Sequence, residues 1–130
     1  MSPDTRAAIV AVLSRQPDIR FAMLFGSAAA GRLRPGSDVD LAVLAERRLS
    51  AARKMAIIGD VAEATGRPVD LIDLQAAGEP LLGQILRHGV RLLGDDADYA
   101  ALLRRHMFDS EDFLPYVERM LAERRRAWIG

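Results

Sequence analysis

The chain has 130 residues, half of them hydrophobic, which suits one compact domain with a core and leaves little room for a second. Its 18 basic and 18 acidic residues cancel, so no overall charge marks it for nucleic acid or an anionic membrane, and the lack of cysteine excludes disulfides, thiolate metal sites and a cysteine nucleophile. The opening MSPDTRAAIV does not read as a signal peptide and no window approaches the roughly 18 apolar residues of a membrane span, so the cytoplasm is the default location.

In chain order, Ser2 is placed to cap a helix from about Pro3 to Ser14. Pro3 is tolerated in its first turn, and Ala7, Ile9, Val10, Val12 and Leu13 form a broad apolar face. Asp18 to Phe25 contains the run IRFAMLF, ended by glycine, which predicts a strand buried on both faces. Ser27 to Gly31 allows one helical turn at most, and Arg32 to Ser37, with Pro35-Gly36, reads as loop. Asp38 to Ala45 is the second strand. Ser50 then opens an amphipathic helix with Ala52, Met55, Ile58 or Gly59, and Ala62 at helical spacing, and Gly66 stands in the stop position.

Pro68 cannot extend that helix, and Val69 to Leu74 predicts a third strand. Glu79 to His88 is a helix followed by Gly89, and Val90 to Leu93 is either a short edge strand or a link between helices. Two helical segments close the chain, about Ala97 to Met107 and Glu111 to Arg126. Strand and helix alternate over Asp18 to Leu93, which argues for an α/β or α+β fold with a small central sheet. Residues 1–94 form the core, and 95–130 a helical extension of the same domain.

The chemistry concentrates between Phe21 and Val43. Residues i and i+2 of a strand share a face, so Asp38-Val39-Asp40 presents two carboxylates together while Val39 and Leu41 turn to the core. Such a pair repels unless a positive group intervenes, and a hard divalent cation such as Mg²⁺ is the economical one. Gly26-Ser27 ends the preceding strand, leaving backbone N–H groups aimed at whatever lies above the turn, which suits phosphate. A third carboxylate, Asp70, lies on the third apolar strand. Asp73 is its rival, but three residues apart they face opposite ways. Asp73 sits at the strand exit, where it is expected to cap the following turn.

With Gly26-Ser27, Asp38-Val39-Asp40 and Asp70 in place, the chain resembles the nucleotidyltransferases of the DNA polymerase β superfamily. The continuation VDLIDLQAAGEPLLGQILRHGVRLLG is similar to the third strand and following helix of the small MNT-type "minimal" branch, which partners HEPN-domain proteins in bacterial toxin-antitoxin modules. That resemblance implies a small mixed sheet flanked by helices. It also implies ATP as substrate, two Mg²⁺ ions held by Asp38 and Asp40, and Asp70 as a further ligand or proton acceptor. Gly26 and Ser27, with Ser37 beside Asp38, are counted on the nucleotide side of the site. Many members carry arginine where this chain has Ala30, before Gly31, and Arg32 and Arg34 lie in the same connection.

The implied reaction is AMP transfer to a protein acceptor, a tyrosine of a HEPN toxin, with no membrane and no direct nucleic-acid partner. The alternatives are a small-molecule nucleotidyltransferase of the aminoglycoside-modifying type, and an antitoxin that acts by binding alone. Three buried or half-buried carboxylates, costly without a cation, weigh against the last. His88 is expected to meet the last carbonyls of its helix, His106 has no matching metal ligand, and Arg124-Arg125-Arg126 reads as a solvated helix end. Phe108, Phe113, Tyr116, Val117, Met120, Leu121 and Trp128 form an apolar stripe that either packs on the body or meets a partner.

Overall fold

The computed structural model describes residues 3–29, 36–109 and 113–129. The helices are α1 (Pro3–Ser14), α2 (Gly26–Ala29), α3 (Ala51–Thr65), α4 (Leu81–His88), α5 (Asp96–Asp109) and α6 (Phe113–Ile129). The strands are β1 (Ile19–Phe25), β2 (Val39–Ala45), β3 (Val69–Asp73) and β4 (Val90–Leu93). These follow the expected order closely. Val90–Leu93 is an edge strand, the first of its two sequence readings, and the capping by Ser2 lies outside the described residues.

The sheet runs β3-β2-β1-β4 and is mixed, with β1 antiparallel to both β2 and β4 while β2 and β3 run parallel. A parallel pair needs a crossover, and α3 supplies it. Ser50 caps α3 by accepting the Arg53 N–H, and Gly66 at φ 67° sends its own N–H back to Ala62 O, so the helix ends where β3 must begin.

The pleat divides the core into two layers. Ala22 and Leu24 of β1, Val39, Leu41 and Val43 of β2, and Leu71 of β3 pack on one face against Ile9, Val12 and Leu13 of α1 and Ile57 and Val61 of α3. Phe21, Met23, Ala42 and Leu44 face the other way, onto Leu82, Ile85 and Leu86 of α4 and Leu102 of α5. Both central strands are therefore apolar on both faces, and Asp40 is the one carboxylate within β2. Phe21 meets Tyr99 of α5 at 6.3 Å between ring centroids, and the Tyr99 hydroxyl donates to Leu86 O at 3.1 Å.

Helix α3 corrects one expectation. Its buried residues are Ile57 and Val61, whereas Met55, placed on the inward stripe by spacing, is 65% exposed. The reason is local. Arg53 donates to both carboxylate oxygens of Asp18, at 3.1 and 2.6 Å, and to Gln16 Oε1 at 2.7 Å, which turns the face carrying Arg53, Ile57 and Val61 toward the sheet.

Candidate active site

Two carboxylates, Asp40 and Asp70, meet at one end of the sheet because two registers agree, and Asp38 stands just before the start of the same β2 strand. Phe25 lies opposite Asp40 across the β1/β2 ladder, and Asp40 lies opposite Asp70 across the β2/β3 ladder. Asp40 and Asp70 therefore project to the same side, that of α4 and α5, as their neighbours Ala42 and Ile72 do. Gly26 follows Phe25 directly. It sits at φ 67°, and a Cβ there would come within 3.1 Å of Asp40 Cγ and closer still to Oδ2. The Gly26 turn and the central carboxylate are thus packed against each other, and only glycine leaves the space.

The electrostatics follow from that placement. Partial burial, then the Asp70 carboxylate, then that of Asp38 push the Asp40 carboxyl above its ordinary range. Both charged neighbours acting on Asp40 are acids, and among the described residues no ion pair involves Asp38, Asp40 or Asp70. All-oxygen, like-charged donors fit a hard cation, which would relieve the repulsion. Among the described residues no three acidic or histidine side chains already converge as a ready coordination shell.

Of these groups only Asp40 is half-buried; Asp38 and Asp70 are exposed. The expectation of three buried or half-buried carboxylates is corrected here. Asp38 precedes the first residue of β2, and Asp70 lies on an edge strand, so neither is covered by a neighbouring strand. Asp73 is 8% exposed on the opposite face, and both its oxygens are taken, Oδ2 by the Leu49 N–H at 2.8 Å and Oδ1 by the Gln75 N–H at 2.9 Å. It ties the end of β3 to the segment leading into α3.

Gly26 and Ser27 open the short helix α2 above Phe25. Ser37 is half-buried, and its carbonyl accepts from Arg67 Nη1 at 3.4 Å. Ala30, Gly31, Arg32 and Arg34 lie outside the described residues. Arg67, a basic residue between a helix stop and a proline, carries no distinguishing pattern in sequence.

The remaining singled-out groups lie elsewhere. His106 Nδ1 is 2.6 Å from Glu79 Oε1, and Glu79 Oε2 accepts the Gly83 N–H at 3.2 Å, so this pair fastens α5 to the start of α4. His88 and Arg124 to Arg126 are exposed. Met107, Phe108, Met120 and Leu121 are also exposed, at 50, 57, 40 and 52%. The side chains of Phe113, Tyr116, Val117 and Trp128 lie outside the described residues.

A model of the family described as polymerase beta, nucleotidyltransferase, matches residues 7–98. A protein adenylyltransferase, MntA, of Shewanella oneidensis is 34% identical over 82 residues, covering 63% of this chain and 59% of that relative. Among solved structures, a chain of a toxin-antitoxin with AMP-PNP superposes with a TM-score of 0.71 at 27% identity, covering 94% of each. A chain from a tri-AMPylated Shewanella oneidensis HEPN toxin in complex with MNT antitoxin gives 0.63 at 25% identity, covering 95% of this chain and 92% of that one. With the matched segment spanning β1 through β4 and taking in Gly26, Ser27, Asp38, Asp40 and Asp70, the chain belongs to the polymerase beta nucleotidyltransferase family.

Proposed function

We propose that this chain is an ATP- and Mg²⁺-dependent protein adenylyltransferase that transfers AMP to a tyrosine hydroxyl of a HEPN-domain toxin and so acts as its antitoxin in the cytoplasm. Residues 1–94 carry the reaction, and 95–130 extend the same domain. The observation that carries the reading is the packing of the Asp40 carboxylate against Gly26 with Asp70 in register beside it. The likenesses to a named protein adenylyltransferase and to a complex containing a tri-AMPylated HEPN toxin support the choice of acceptor.

In the reaction the acceptor oxygen bonds the α-phosphorus, the bond from that phosphorus to the α,β-bridging oxygen breaks, and pyrophosphate leaves. Bound Mg²⁺ supplies charge stabilisation at the attacking and leaving oxygens. Asp38 and Asp40 would hold the ions, and Asp70 serves as a further ligand or takes the hydroxyl proton. Gly26 lets the backbone approach the phosphates, and the Ser27 and Ser37 segments flank them. Asp38 and Asp70 are exposed, so a tyrosine on another protein's surface reaches them from solvent.

The test incubates the chain with ATP labelled at the α-phosphate, Mg²⁺ and a HEPN-domain toxin. Label is expected on that protein, none is expected from ATP labelled at the γ-phosphate, and Asp40→Asn is expected to slow transfer by about 100-fold or more. Wild-type transfer by Asp40→Asn overturns the reading. Full neutralisation of the toxin by an Asp38→Asn/Asp40→Asn chain without transfer identifies binding alone as the function.

A further inference from the structure

Asp38 poses a positioning problem. It stands just outside β2 and is exposed, so the ladders that fix Asp40 and Asp70 do not fix it. Two contacts bracket it instead. On one side the Val39 N–H donates to Pro68 O at 2.8 Å, and on the other Arg67 Nη1 donates to Ser37 O at 3.4 Å. Both contacts come from the same short segment between α3 and β3.

That segment is well anchored. Gly66 at φ 67° closes α3, and its N–H donates to Ala62 O at 2.8 Å. The Arg67 N–H donates to Thr65 Oγ1 at 3.3 Å, and the Thr65 hydroxyl donates to Val61 O at 2.8 Å. Val61 is fully buried under the sheet, and Pro68 fixes the next φ. The guanidinium is thus carried on the rigid end of a packed helix. Its contact with Ser37 falls on the main-chain carbonyl of the residue before Asp38.

We propose that Arg67 is a positioning residue, which pins the Ser37–Asp38 peptide to the end of α3 and so aims the Asp38 carboxylate at the cation site; this rests on the transferase reading above. Groups that orient a metal ligand from behind characteristically change metal affinity or activity by about 10- to 100-fold when removed. Arg67 acts in that way through a main-chain carbonyl.

The test compares Arg67→Ala and Arg67→Lys with the full chain in three measurements: kcat and KM for AMP transfer to the HEPN protein, Mn²⁺ binding by calorimetry without nucleotide, and the thermal midpoint. Arg67→Ala is expected to lower kcat and weaken Mn²⁺ binding, each about 10- to 100-fold, with KM for ATP changed less than about twofold. Arg67→Lys, which keeps a donor of similar reach, is expected to recover most of both. In an Asp38→Asn background, Arg67→Ala is expected to weaken Mn²⁺ binding no further.

A raised KM with kcat retained would mean direct contact with the nucleotide and overturns the proposal. So does a lowered midpoint with kcat and Mn²⁺ binding intact, or a further loss of Mn²⁺ binding in the Asp38→Asn background. Wild-type transfer by Asp40→Asn overturns the reaction reading itself, while the calorimetry still judges Arg67.

Discussion

Gly26→Ala separates what the turn does for stability from what it does for the site. The new Cβ meets two obstacles. At φ 67° an alanine pays the left-handed penalty, about 1–2 kcal/mol. The methyl would also stand 3.1 Å from Asp40 Cγ and nearer to Oδ2, so the carboxylate must swing away, at about 0.5–1.5 kcal/mol for leaving its rotamer. The expected loss is about 1.5–3.5 kcal/mol in urea denaturation.

Gly66→Ala serves as the stability control. It has the same φ of 67°, but nothing lies within 4 Å of its Cβ, so only the backbone part is expected. The difference between the two variants isolates the clash. Because the obstacle is the tip of Asp40 rather than backbone, the fold survives, whereas a carboxylate displaced by about 1 Å is expected to slow AMP transfer about 100-fold at saturating ATP. A Gly26→Ala chain that transfers AMP within about threefold of wild type, with no more loss of stability than Gly66→Ala, refutes the packing of the turn against Asp40.

Asp70→Ala and Asp73→Ala are expected to give opposite phenotypes: loss of transfer with little change in stability for the first, and for the second about 2–4 kcal/mol lost on denaturation, from two stranded N–H groups, with activity retained per folded molecule. Asp40→Asn is expected to raise the denaturation midpoint of the metal-free chain at neutral pH. Its native carboxyl is raised, so the ionised form opposes folding there, and the gain fades as pH falls through the folded and then the unfolded value, where aspartate is protonated in both states. Asp18 has the opposite sign, since its hydrogen bond from Arg53 lowers its carboxyl; the pair stabilises above the unfolded value of about 3.8 and is lost as pH falls through the lower folded one. Arg53→Met is accordingly expected to cost about 0.2–1 kcal/mol more at pH 7 than near pH 2, where its hydrogen bond to Gln16 is all that is lost, by parallel denaturation curves.

Local signals carried most of the element boundaries. Ser50, Gly66 and Pro68 mark the limits of α3 because caps and breakers act within a turn of where they stand. The spacing of Asp38 and Asp40 likewise marked both as candidates without knowledge of the fold, although only Asp40 lies within β2. What stayed hidden depends on distant partners. The facing of Asp40 and Asp70 is a property of a parallel register, set by how α3 packs. Asp73 was expected at a turn, and the Gln75 N–H is there, but its second partner, Leu49, lies far back in the chain. The rotation of α3 depended on Asp18 and Gln16, so alanines and Met55 gave a plausible but misphased stripe. Glu79 and His106 likewise meet only once α5 has docked.

The mixed sheet also orders the assembly of the site. Antiparallel pairing of β1 with β2 closes one loop and already joins Gly26 to Asp40, whereas Asp70 arrives only after the whole α3 crossover has packed. The mutual repulsion of Asp40 and Asp70 is therefore absent from a chain that has formed only its first hairpin, and appears when β3 pairs with β2. A cation held by both carboxylates would need β3 paired with β2, so by mass action it would favour chains in which that pairing has formed. Loading the metal would then act as a late check on folding, protecting finished molecules from proteolysis and leaving incomplete ones exposed.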